Sequence, residues 1–394
     1  MAPPRITSVG IRNYKSIGLA DLKLEPLTLL VGRNGAGKSN VRDALAIVAD
    51  ALQSTLEFAI RQRGGINEVR RQSAGHPTHF TISIRLRLGE KLSGGYAFTI
   101  GAEKAGGFVV ERERAWLGHA TYETRKGEIV AKSRHLSASP QVTPDRLLLS
   151  AMSAVPELRG LYDALAGMRF YNIDPNAFRQ PQQHDAGDVL LASGRNIASV
   201  IRRLRIDDPE SFDRIQDYIR AIVPGLDRIE STSIATSETL EFAQRMHGAG
   251  RLRKFFASAM SDGTLRSLGV LTALFQTHPR LGLPSLVAIE EPESTLHPGA
   301  AGVLMDALIE ASERHQVLAT THSPDLLDNP KLRLGSIRIV ESIDGETIVS
   351  EADEASKDAV TQKLFTPGEL MRQSQISAAP DRVRPKNPDL FKLD

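Results

Sequence analysis

Residues Gly32 to Ser39, GRNGAGKS, follow an apolar run that ends abruptly in glycine, with Leu27, Leu29, Leu30 and Val31 as its core. After the loop, Val41, Leu45, Ile47, Val48, Leu52 and Leu56 recur at mostly helical spacing. Strand, glycine loop and helix in direct succession fit the phosphate-loop pattern GxxxxGK(S/T), which commits the chain to an α/β unit. The backbone N–H groups of Gly32, Arg33, Asn34, Gly35, Ala36 and Gly37 can wrap phosphate oxygens, because glycines let successive amides turn inward and the next helix brings its positive end to the same charge. Lys38 is then expected on the β- and γ-phosphates, Ser39 on Mg²⁺, and Asn40 beside them in the first helical turn.

At 394 residues, 41% hydrophobic and 24% charged, the chain can bury one large core or two. It contains no cysteine, so disulfides, thiolate zinc sites and cysteine nucleophiles are excluded and nothing points to an oxidising compartment. No apolar run is long enough to cross a bilayer, and MAPPRITSVGIRNYKSI lacks a signal-peptide core, so the expectation is a cytoplasmic protein with no membrane partner. A net charge of +2, from 49 basic and 47 acidic residues, leaves nucleic-acid affinity to local clusters.

Ile6–Ile11 and Leu22–Val31 read as strands, and the alternating TISIRLRL with Tyr96–Ile100 and Phe108–Arg114 predicts an antiparallel meander with one wet face. The expected divisions are 1–115 for the phosphate loop and meander, 116–250 for a mainly helical inserted lobe, 251–377 for the return of the α/β pattern and 378–394 for a flexible tail. In the third segment, strand Leu286–Ile289, helix Ala300–Arg314 and strand Val317–Thr321 restore a parallel sheet.

Where Ser285–Ile289 leaves that sheet the chain reads Glu290, Glu291, Pro292, Glu293. Ligands of open α/β sheets sit at the carboxyl ends of strands. One carboxylate there can hold a metal directly or through water while its neighbour orients and deprotonates an attacking water. SDGT at Ser261–Thr264 offers a hydroxyl, a glycine and a helix start near Thr264, which together suit a second anion site, although an ordinary capped helix would read the same way.

The ordered set of segments resembles the ATP-binding-cassette class of ATPases, in the branch of RecF, SMC and OLD-like proteins and their bacterial AAA-type relatives. IRNYKSI at Ile11 and VGRNGAGKSNVRDAL at Val31 look like the branch's opening, SDGTLRSLGVL at Ser261 like its signature, IEEPESTLHP at Ile289 like its Walker B and D-loop, and TTHSPDLLD at Thr320 like its switch-histidine loop. FYNIDP at Phe170, SGRNIASVI at Ser193 and LFTPGEL at Leu364 are similar to further segments of the relatives. The resemblance implies an α/β P-loop NTPase fold, an ABC-type head with an antiparallel β meander and a helical insertion. It implies ATP and Mg²⁺ as cofactors, Glu291 as general base, Glu290 and Ser39 in the metal shell, and His322 on the γ-phosphate. It also implies that Ser261, Gly263 and Thr264 of one copy close on ATP held at Lys38 of another, giving a head-to-tail homodimer.

Two positions depart from the family pattern: Glu290 stands where aspartate is commoner, and His297 where many relatives have a D-loop aspartate. Gln62 and Gln72 are weak candidates for the Q-loop glutamine. His76 and His79 in HPTH lack nearby acids or cysteines and read as loop residues. Arg61, Arg63, Arg70 and Arg71, then Arg202, Arg203 and Arg205, then Arg251, Arg253 and Lys254 are the candidate phosphate-backbone track, which makes duplex DNA a candidate partner without sequence preference. The expected function is an ATP hydrolase whose dimer gates a DNA-associated process, in repair, chromosome maintenance or defence against phage, through a separate effector such as a nuclease. A low-turnover ATP-binding sensor or scaffold is the alternative. A transporter's nucleotide-binding subunit ranks lower, since SDGT replaces an LSGGQ-like signature and about 130 residues separate the meander from it.

Overall fold

The computed structural model describes residues 3–73, 75, 77–103, 106–137, 140–245, 252–277, 282–379 and 389–391. They fall into two compact units, one made of Met1–Met168, Gly335–Asp358 and Ile376–Asp394, the other of Arg169–Leu334 and Ala359–Gln375. Among the described residues no helix is long and apolar enough to cross a membrane.

The first unit carries a seven-stranded antiparallel sheet. Its strands lie in the order Ile17–Lys23, Arg5–Tyr14, His79–Leu88, Leu92–Ala102, Phe108–Leu117, Ala120–Arg125 and Glu128–Lys132. Registry pairs Ile82 with Phe98 and Ile84 with Tyr96, so one face collects Tyr14, Phe80, Phe98 and Tyr96, whose rings meet edge-on or tilted at 5.5 to 6.3 Å. Beneath these rings Glu113 is fully buried and accepts hydrogen bonds from Tyr96 Oη (3.0 Å), Tyr122 Oη (2.8 Å), and the backbone N–H groups of Leu148 (2.6 Å) and Leu149 (2.9 Å). Burial still raises its carboxyl above the ordinary range.

The alternation in TISIRLRL predicts one wet face, and here the structure differs. Thr81, Ser83, Ala97 and Thr99, on the other face, are also buried. The cover is the end of the chain: Phe391 packs with Ala97 and Trp116, the Arg112 guanidinium lies 3.9 Å from the Phe391 ring centre, and Arg114 Nη1 donates to the Phe391 carbonyl (2.7 Å). Leu390 sits over Gly10 and Ser83. Segment 378–394 was expected to be loose; residues 380–388 and 392–394 of it lie outside the described residues, but Leu390 and Phe391 are buried. Their short, proline-flanked context gives no periodic signal, so only the docked position shows the burial.

In the same unit, strand Leu27–Val31 runs parallel to Ile337–Ile343, which pairs antiparallel with Glu346–Ser350. The five residues of Leu27–Val31 are all buried, which explains their continuous apolar run. The second unit holds parallel strands Arg169–Tyr171, Leu286–Glu290 and Gln316–Thr321, with Ile289 opposite both Tyr171 and Ala319. It also holds an antiparallel sheet in which Ser237–Arg245 pairs with Leu226–Ile234, Gln182–Gln183 and Leu252–Phe256. Segment 116–250 reads as mainly helical, and helices Pro156–Ala166, Ile197–Asp207 and Pro209–Ile222 form there. Strands Ala120–Arg125, Glu128–Lys132, Leu226–Ile234 and Ser237–Arg245 share that segment; they are polar and partly exposed, so their pattern carries little apolar contrast.

Candidate functional site

The phosphate loop lies wholly in the first unit. Helix Lys38–Gln53 starts directly after it, capped by Gly37 at φ 101°, with no side chain satisfying the first amides. The positive end of a helix suits an anion. The tip Arg33, Asn34 and Gly35 is exposed, as is Ser39, whereas Lys38 is buried and its Nζ donates to the carbonyls of Gly32 (2.7 Å) and Arg33 (3.0 Å). Gly37 must be glycine on two counts: its φ, and a Cβ that would lie 2.0 Å from Thr347 Oγ1. Behind the helix, Asp43 accepts from Tyr14 Oη (2.8 Å), Lys15 Nζ (2.6 Å) and Arg63 Nε (2.9 Å). Burial would raise the Asp43 carboxyl, but Arg63 and Lys15 hold it below its ordinary value. This network pins the helix to the IRNYKSI turn, where Asn13 and Lys15 adopt left-handed φ of 55° and 47°.

The second unit carries the acids and the histidine. Glu291, the first residue past strand Leu286–Glu290, has φ 42°, and its N–H donates to the carbonyl and to Oγ1 of Thr320, each at 3.1 Å. A non-glycine residue held there is strained, a condition that persists only where surrounding bonds impose it. The structure brings Glu291 and His322 together: Oε1 lies 3.0 Å from Nδ1, and both side chains are partly exposed. Glu293 is buried. Thr321 Oγ1 donates to its Oε1 (2.5 Å) while its Oε2 has no partner, and burial raises its carboxyl above the ordinary range.

SDGT forms the start of helix Asp262–Phe275, two residues earlier than the sequence suggests. Ser261 is its cap, accepting from the Thr264 N–H (3.2 Å), and its hydroxyl also bonds Thr264 Oγ1 (2.9 Å). Gly263 lies where a Cβ would come 2.7 Å from the Thr295 carbonyl, so the turn after the acids passes directly over the signature. One turn on is a residue that the sequence reading missed. Arg266 donates through Nε to the carbonyl of Glu291 (3.2 Å), through Nη2 to that of Glu290 (3.0 Å) and through Nη1 to that of Ile173 (2.9 Å), so the signature helix holds the end of the acid strand. Nothing in TLRSL separates this arginine from an exposed one.

His297 caps helix Pro298–Arg314, with Nδ1 accepting from the Gly299 N–H (3.1 Å). Gln62 ends a short helix and Gln72 donates to the Asn67 carbonyl (3.1 Å); neither lies at a strand end. His79 begins a meander strand, while His76 and Arg251 lie outside the described residues. In the candidate basic track, Arg63, Arg71, Arg202, Arg203, Arg205 and Lys254 are ion-paired within their own units, with Asp43, Glu346, Glu238, Asp207, Glu230 and Glu241. The Arg63–Asp43 pair is largely buried, whereas the partly exposed Arg203–Asp207 and Arg205–Glu230 pairs exchange partners at little cost.

A family described as "AAA domain, putative AbiEii toxin, Type IV TA system" matches residues 27–328, from the loop strand past the switch histidine. The chain belongs to that family. A phosphonates-import ATP-binding protein of Haloquadratum walsbyi is 28% identical over 140 residues, 34% of this chain and 46% of that protein. The chain thus spans about half the length of that curated relative. Among solved structures, the SmcHead bound to the C-winged helix domain of ScpA aligns with a TM-score of 0.57 at 14% identity, covering 90% of this chain and 99% of that one. The Smc head domain with an extended coiled coil, bound to the C-terminal domain of ScpA and derived from Pyrococcus furiosus, aligns with a TM-score of 0.55 at 13% identity, covering 92% and 99%. The molecule is thus an AAA-domain protein by its family match, and a mixed α/β protein that shares the P-loop NTPase fold of those head domains.

Proposed function

We propose that the chain is a magnesium-dependent ATP hydrolase in which bound ATP joins two copies head to tail and hydrolysis releases them. The observation that carries this reading is the Glu291–His322 pair at 3.0 Å, held on a strained strand end in a family whose phosphate loop is intact here. Lys38 leaves its loop carbonyls for the β- and γ-phosphates, and the start of the helix after Gly37 turns its positive end to the phosphate oxygens. Arg33, Asn34, Gly35 and Ala36 wrap the anion from the exposed tip. Glu291 accepts a proton from the attacking water, and His322, fixed by Glu291, presents its other ring nitrogen to the γ-phosphate. Ser261, Gly263 and Thr264 cap the γ-phosphate of the second copy.

The donor set fits magnesium. Mg²⁺ prefers one or two hard protein oxygens, with water and phosphate completing its shell. The exposed Ser39 hydroxyl and the Glu290 carboxylate would supply them. When bound, the ion neutralises charge that develops on the phosphate oxygens. A separate effector chain and duplex DNA are the proposed partners. The SMC-head likeness supports an assembly with other proteins, and the family's type IV TA description supports a partner chain.

Phosphate release by the wild type and by Glu291→Gln, with light scattering in MgATP, tests the proposal. Hydrolysis should fall on the order of a thousandfold and the variant should accumulate as an ATP-bound dimer. Equal turnover in both proteins would favour the sensor alternative, and a variant that binds MgATP yet stays monomeric would remove the dimer.

A further inference from the structure

We propose that Thr347, more than three hundred residues after the phosphate loop in sequence, is a positioning residue for that loop. The proposal rests on the nucleotide-binding reading above and adds a group that no motif of the chain contains. Thr347 lies on strand Glu346–Ser350 and is 1% exposed. Its Oγ1 lies 2.6 Å from Ser16 Oγ and 3.0 Å from the Ala36 carbonyl, and Asn40 Nδ2 lies 2.6 Å from Ser16 Oγ. The Thr347 N–H also donates to the Ser16 carbonyl (2.9 Å), which fixes the hairpin against the IRNYKSI turn.

Counting donors gives this chain one direction. Asn40 Nδ2 can only donate, and the Ala36 carbonyl can only accept. Thr347 spends its single proton on Ala36, so Ser16 must donate to Thr347 and accept from Asn40. The sequence is therefore Asn40 N–H to Ser16 O–H to Thr347 O–H to the Ala36 carbonyl. Every hydroxyl in it both donates and accepts, which strengthens each bond and fixes each rotor.

The consequence falls on one peptide. No described peptide bond is cis, so the Ala36 carbonyl and the Gly37 N–H point in opposite directions. Tying the carbonyl to Thr347 aims the Gly37 N–H away from the hairpin, to the side where the loop holds phosphate. Gly37 has no Cβ to keep Thr347 off, and its left-handed φ completes the turn. Asn40, at the other end, ties the same bonds to the first turn of the following helix. The loop is thereby shaped before any nucleotide arrives, which lowers the ordering cost of binding.

The test uses the full chain with Thr347→Val, which keeps the shape and removes the hydroxyl, Thr347→Ser, which keeps the hydroxyl, and Ser16→Ala, which breaks the middle of the chain. Calorimetric titration with MgATP and with MgADP should show about tenfold weaker binding for Thr347→Val and a similar loss for Ser16→Ala. Thr347→Ser should stay within about twofold of wild type. In steady state KM should rise while kcat holds. A hydroxyl that only supports the fold would lower the melting temperature and leave affinity unchanged, and that outcome in the folded variants overturns the proposal. Should Thr347→Val not fold, Ser16→Ala decides by the same criterion. Wild type that binds no nucleotide defeats the nucleotide-binding reading, and this inference with it.

Discussion

The two units solve the problem of holding a reactive loop in opposite ways. In the first, the phosphate loop is shaped by backbone amides, hydroxyls and one buried lysine: Gly37 caps a helix without a side chain, and Thr347, Ser16 and Asn40 fix the turn through neutral hydrogen bonds. In the second, the strand end is held by charge and strain: Glu291 sits at a left-handed φ, His322 pairs with it, and Arg266 spans three carbonyls. A site that binds a constant anion gains from fixed dipoles that do not titrate. One that must move a proton needs groups that do. On the proposed function, the difference separates recognition from chemistry.

The largest effect expected beyond the base itself comes from Lys38→Ala, which should break recognition. MgATP affinity should fall roughly a hundredfold, since a charged donor to phosphate is lost from a buried position. Equilibrium binding checks this, and affinity within threefold of wild type would contradict the division of labour. Next is Arg266→Met, which keeps the stem and removes the guanidinium. It leaves carbonyls of Ile173, Glu290 and Glu291 without their donor, for a loss of about 2 kcal/mol in denaturant unfolding. Hydrolysis should fall about tenfold while MgATP affinity holds, because the acid end loosens and the loop does not. An equal loss in affinity would erase the contrast.

The smallest effect concerns acid. His315, between helix Pro298–Arg314 and strand Gln316–Thr321, is 2% exposed, neither ring nitrogen has a partner, and burial lowers its pKa to about 4. The folded state therefore binds its proton less readily than the unfolded state. Its contribution to stability is intact above the unfolded value near 6.5 and is lost progressively as pH falls toward the folded value. By pH 5.5 the loss should be about 1 kcal/mol relative to pH 7. Glu113 in the first unit has the opposite sign: its raised carboxyl favours the folded state as the pH falls through that raised value. Urea melts from pH 7 to 5 should therefore show the second unit weakening first, and His315→Phe should flatten the trend. Identical pH profiles for wild type and His315→Phe would refute the assignment.

Much of this was legible along the chain. GRNGAGKS announces its own conformation because glycine and lysine spacing acts over eight adjacent residues, and SDGT, EEPE and THS likewise lie on contiguous strand and helix ends. The meander's strands were legible, but its second buried face was not, because Leu390 and Phe391 reach it from the far end of the sequence. Arg266 escaped notice since an arginine in a helix is usually solvated, and its three carbonyl acceptors belong to residues outside that helix. The basic groups read as a free track, whereas many are ion-paired with acids in their own units.

The sequence by itself determined the class of the molecule and the residues that its loops present, because a phosphate-loop pattern and strand-end acids are written in short contiguous stretches. Tertiary structure alone decided which groups hold those loops in shape: Thr347 on the Ala36 carbonyl, Arg266 on the Glu290 and Glu291 carbonyls, Phe391 over Ala97. Those contacts join residues from 24 to more than 300 positions apart. A hydrogen bond or a packed ring depends on distance in space, and no local pattern encodes a partner that far away along the chain.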